Sequence, residues 1–84
     1  MAAPAAYPAV LQINQSGSWR TALTVDLGDV PEEFMGYLDR VLRLASRDKL
    51  SARIVATRPG DNGSLVATTT VLKRWSRPEG WVNT

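Results

Sequence analysis

Neither cysteine nor histidine occurs among the 84 residues. The first absence removes disulfide bridges, a thiolate nucleophile and cysteine-ligated metal. The second removes the side chain that most often serves as a general acid or base and most often holds a transition metal. Ser, Thr, Lys and Tyr remain as nucleophiles, with Asp and Glu as ordinary bases. Long apolar runs are missing as well, and none approaches the ~20 residues that a membrane-spanning helix needs. The opening MAAPAAYPAV has no basic segment and is interrupted by Pro4 and Pro8, unlike a signal peptide. The expectation from these absences is a cytoplasmic protein, not an enzyme, that uses no cofactor, no metal and no membrane.

What is present suits one small domain. Hydrophobic residues make up 44% and charged residues 21%, the balance of an ordinary globular chain. A chain of this length buries only roughly 60–65% of its unfolded surface, so its core has little to spare and self-association would help it. The net charge of +2 hides a polarity. Residues 1–39 set Arg20 against five carboxylates, a net −4, whereas residues 40–84 set nine Lys and Arg against three, a net +6. Such asymmetry points to a partner with an acidic surface, unless strands and helix interleave and average it out.

The segment Asp29–Asp48 spells helix at every level. Asp29 and Glu32 have capping-box spacing and Pro31 falls in the first turn. Phe34, Leu38, Val41 and Ala45 recur with helical period, and Tyr37, Leu42 and Leu44 broaden the apolar stripe that should face a core. Glu33, Gly36, Arg40, Arg43 and Arg47 mark the wet side. Asp39 and Arg43 form an i, i+4 pair, and Glu32, Glu33, Arg43, Arg47 and Lys49 suit the helix dipole. Gly36 costs roughly 1 kcal/mol relative to alanine, and is either a notch for a close approach or a tolerated surface glycine.

Strand-like sequence flanks this helix. Residues 1–8 read as a flexible Ala/Pro arm and 9–84 as a single domain. Ala9, Leu11 and Ile13 on one face alternate with Val10, Gln12 and Asn14 on the other. Alternation resumes at Trp19, Thr21, Leu23, Val25 and Leu27 after the Gln15–Ser18 turn, making a hairpin. Leu50–Thr57 and Ser64–Trp75 form a second one around Pro59-Gly60-Asp61-Asn62-Gly63. Arg77-Pro78-Glu79-Gly80 turns once more, leaving Trp81–Thr84 as a tail that docks through Trp81. The expected fold is α+β in two layers, β-β-α-β-β, with one amphipathic helix on a four-stranded, largely antiparallel sheet. One face of that sheet is left without a layer.

No motif for catalysis survives inspection. Glu32 and Glu33 are explained by the helix start, the other carboxylates by a strand end and turns, and Gly60–Gly63 lacks the Lys-Ser/Thr of a phosphate loop. Recognition is better supported. Ser51, Arg53, Val55 and Thr57 should point away from the helix. Across the hairpin, Val66, Thr68, Thr70, Leu72 and Arg74 share one parity and would join them on a Thr/Val surface rimmed by Arg53 and Arg74. Arg58, Lys73 and Arg77 lie near its ends. A register slip of one residue would invert this assignment. With Trp81, these five basic residues are the candidate partner-binding set. A protein with an acidic surface is the first partner to consider, since Arg and Trp are enriched at interface hot spots. Nucleic acid is the alternative, with Arg and Lys on phosphates and Trp75 or Trp81 stacking on bases. Trp19 and Trp75 share parity with core positions and are expected to be core or core-rim. A plain solvated face, and a subunit role in a larger assembly, stand beside these readings. Leu72, Val66 and Val55, if exposed together, would suit a homodimer.

In size and layout the chain resembles the small accessory proteins of phages and mobile elements, including anti-CRISPR-type inhibitors. The resemblance is one of outline. It implies an adaptor or inhibitor that works by occupying a partner's surface.

Overall fold

In the computed structural model, residues 7–14, 17–31, 33–45 and 50–84 are described. Met1–Ala6 of the expected arm, Gln15 and Ser16 of the first turn, Glu32 of the capping box and the 46–49 end of the helix lie outside the described residues. Five strands and one helix follow in the order β1 (Pro8–Asn14), β2 (Trp19–Asp26), α1 (Phe34–Ala45), β3 (Ser51–Pro59), β4 (Leu65–Ser76) and β5 (Gly80–Asn83). All strand pairs are antiparallel, and the sheet order is β2-β1-β3-β4-β5. The α+β class and both hairpins are as expected. The expected four strands are five, because Gly80 at φ +72 closes a turn that pairs the tail with β4. Pro8 already belongs to β1, and the Tyr7 N–H donates to Asp26 Oδ1 at 2.8 Å.

Turn chemistry fixes the hairpins. Gly17 at φ +90 donates to Asn14 Oδ1, and Gly60 N–H donates to the Ser64 carbonyl at 2.6 Å. The core lies between α1 and one sheet face. Ala9, Leu11, Val25, Ala52, Ile54 and Trp75 meet Leu42 and Leu50, with Phe34, Met35, Leu38 and Trp81 packed against them. Each large side chain buried there contributes about 1.5–3 kcal/mol.

The helix departs from expectation in two ways. It begins at Phe34 rather than near Asp29, because the strand exit uses the local polar groups differently. Asp26 Oδ1 accepts the Gly28 N–H, and the Asp29 N–H donates to the Asp26 carbonyl, so Asp29 sits in a bend. The buried stripe is also rotated. Leu42 is buried and Leu38 half-buried, whereas Tyr37, Val41 and Leu44 are 65%, 58% and 80% exposed, and Ala45 is exposed. The reason lies on the opposite flank. Asp39 Oδ1 accepts from Trp75 Nε1 at 2.8 Å, and Arg43 bonds both Asp39 and the Arg77 carbonyl. These ties roll α1 toward β4 and β5.

A candidate docking face on the uncovered side of the sheet

Irregularities in two strands, β2 and β4, decide what the uncovered face displays. Between Leu11 and Gln12 the β1–β2 register shifts, leaving Ala22 as an extra residue. The parity of β2 therefore reverses, and Trp19 joins Gln12 and Asn14 on the face away from the helix. Trp19 is 37% exposed on the face away from the helix, which corrects the expectation that it is core or core-rim; Trp75, at 1%, meets it. On β4 the register shifts between Ile54 and Val55, with Leu72 as the extra residue, and shifts again before Thr57. Leu72 consequently packs against the helix-side core while Arg74 points the other way. Val55 is fully buried, so the expected exposed patch of Leu72, Val66 and Val55 does not form.

Arg53 and Arg74 are direct cross-strand partners, as the sequence parity suggested. Arg53 Nε donates to Gln12 Oε1 at 2.8 Å, and its guanidinium carbon lies 4.0 Å from the centroid of the Trp19 ring. Arg74 is exposed and has no polar partner among the described residues. Between them opens a concavity of about 330 Å³, whose lining includes Trp19, Val71, Ser76, Glu79 and Val82. Val82, on β5 opposite Arg74, is 39% exposed.

The other four candidate residues go elsewhere. Lys73 pairs with Ile54 in register, and its Nζ donates to Asn83 Oδ1 at 2.7 Å. Arg77 Nη2 donates to the Arg43 carbonyl at the end of the helix. Arg58 is exposed at the far end of β3, opposite Val66. Trp81 is the cross-strand partner of Trp75 and packs on the core, with its indole N–H buried and unpartnered. Trp19 and Val82 are the residues that sequence reasoning missed. A bulge leaves no local signature that separates it from regular alternation, so the reversal of Trp19 had no signal in the sequence.

An ionisable group with a displaced equilibrium, Asp39, stands on the other side of the sheet. Hydrogen bonds from Arg43 and from Trp75, with the charge of Arg43, hold the Asp39 carboxyl below its usual value against an opposing effect of burial. Among the described residues no helix is long and apolar enough to cross a membrane. Compared with known proteins, the chain matches no family model, no curated protein and no solved structure.

Proposed function

We propose that the chain is a small non-enzymatic protein-binding module, an adaptor or inhibitor of the kind found among phage and mobile-element accessory proteins. It docks an acidic segment of its partner on the uncovered sheet face. The observation that carries this reading is the Arg53–Arg74 pair. Like charges directly opposite on neighbouring strands are destabilising, and among the described residues no carboxylate is within ion-pair distance of either, Glu79 lining the concavity without bridging them. A partner carboxylate seated between the two guanidinium groups would relieve that repulsion through charge-assisted hydrogen bonds. Val71 and Val82 beside them supply apolar area for a neighbouring side chain. The nucleic-acid alternative is less well supported. Stacking needs a free aromatic face, whereas Trp75 is buried, Trp81 packs on the core and Arg53 occupies one face of Trp19. The basic residues are also dispersed rather than ranged along one track.

The test is selection from a phage-displayed random peptide library on the purified protein, alongside anisotropy with labelled DNA and RNA. Enriched peptides should place carboxylates next to an apolar residue. Alanine at Arg53 or Arg74 should weaken their binding by about tenfold or more, the equivalent of one charge-assisted hydrogen bond. Enrichment indifferent to both arginines would refute the reading. Tighter binding of an oligonucleotide, falling steeply with salt, would replace it with the alternative.

A further inference from the structure

Glu79 stands in the turn between β4 and β5 and lines the same concavity as Arg53 and Arg74. It is exposed, and its carboxylate has no ion-pair partner among the described residues. One small cavity thus holds two cations with no anion between them and an anion with no cation beside it. Glu79 sits in the turn that leads β4 into β5, and its side chain does nothing visible for the fold.

Register sets these charges a fixed step apart. Arg53 and Arg74 face each other across β3 and β4, and Ser51 and Ser76 do the same two residues further along. Ser76 also pairs with Gly80 of β5, the residue after Glu79. At about 3.3–3.4 Å of rise per residue, the serine row lies ~7 Å from the arginine row, and Glu79 borders it. An extended chain repeats on that same step, because side chains at i and i+2 point one way.

Building on the reading of this face as a docking site, we propose that it admits an extended segment carrying one Asp or Glu and, two positions away, one Lys or Arg. The carboxylate seats between the two guanidinium groups, and the base reaches over the serine row to Glu79. Arg53 is held by Trp19 and Gln12, whereas the exposed Arg74 is free to turn toward the incoming carboxylate. Glu79 also acts against the wrong segment. A second carboxylate at the two-residue step would meet it as a like charge, so a run of acidic residues is disfavoured. A nucleic-acid strand, whose phosphates repeat without a cation between them, is opposed by the same group.

The test is selection from the random peptide library on the unaltered protein and on Glu79→Lys, followed by anisotropy of labelled synthetic copies of the enriched peptides. On the unaltered protein these peptides should carry Lys or Arg two positions from the carboxylate that needs the arginines. On Glu79→Lys that place should pass to Asp or Glu. Changing the base of an enriched peptide to Gln should weaken binding to the unaltered protein by about two- to fivefold, the range of an exposed ion pair. The same change should leave binding to Glu79→Gln unaltered. Circular dichroism establishes that both variants are folded, and Glu79→Gln alone suffices if the lysine variant is not. Peptides that need Arg53 and Arg74 but carry no base at that step, or one peptide set enriched on both proteins, would overturn the proposal and leave the docking reading standing. So would tighter binding of every acidic peptide to Glu79→Gln, with or without a base, since Glu79 would then be only a competitor for the arginines. Enrichment indifferent to both arginines, or none, would remove the docking reading and this proposal together.

Discussion

Arg53 lies over the ring of Trp19, 4.0 Å from its centroid, although the two residues stand on strands that are not neighbours. Gln12, on the strand between them, accepts from the same guanidinium. One side chain thus ties three strands together on the face that no helix covers. It also gives that face a fixed cation rather than a freely moving one.

This contact should be measurable as a coupling. In a double-mutant cycle of Trp19→Ala and Arg53→Ala, urea unfolding should give an interaction energy of about 0.5–1 kcal/mol. Additive single effects would mean that the ring and the guanidinium do not interact in solution.

Arg74→Glu should separate stability from recognition. Replacing a like-charge cross-strand pair with an unlike one should stabilise the fold by about 0.2–1 kcal/mol. The gain should shrink at high salt, as for any exposed pair. Capture of acidic peptides should be lost in the same variant. Thermal melts at two ionic strengths, with the binding assay, check both halves.

Asp39 makes stability depend on acid. Its folded-state pKa is lowered below the ordinary 3.8, so its ionised form is the one the fold favours. That contribution is present in full above 3.8 and is lost as pH falls through the lowered folded-state value. Asp39→Asn should therefore be less stable than the unaltered protein at neutral pH, with the gap narrowing down the acid limb. A gap constant with pH would show that the carboxylate charge is not what holds Trp75 and Arg43.

Two glycines should respond in opposite directions to alanine. Gly36 is exposed in α1, and a Cβ there would meet nothing within 4 Å. Gly36→Ala should raise stability by about 1 kcal/mol through helix propensity. Gly80 has φ +72, and a Cβ would lie 3.3 Å from Asp39 Oδ1. Gly80→Ala should cost about 1–2 kcal/mol from the left-handed backbone alone. Melting temperatures of the two variants give the comparison.

The sequence by itself determined the class of this protein and most of its elements. Alternation in Ala9–Ile13 and Leu50–Thr57, helical period around Leu38 and Leu42, and glycine at the turns are local signals. Chain stiffness and solvent act on them whatever the rest of the fold does. The i, i+4 pair of Asp39 and Arg43 was legible for the same reason; parity placed Arg53 and Arg74 on one face, and their direct pairing was decided by the register of β3 and β4. Tertiary structure alone decided which faces those elements present. Ala22 and Leu72 each interrupt a ladder, and one extra residue reverses the direction of side chains beyond it; Trp19, expected in the core or at its rim, therefore left it, and Leu72, expected on the outer face, packs against it. The roll of α1 was set by Trp75 and Arg77, side chains far along the chain that claim Asp39 and Arg43. That claim turned Tyr37, Val41 and Leu44 outward. Periodicity establishes that a helix has an apolar stripe. Where that stripe points depends on partners that no local pattern encodes.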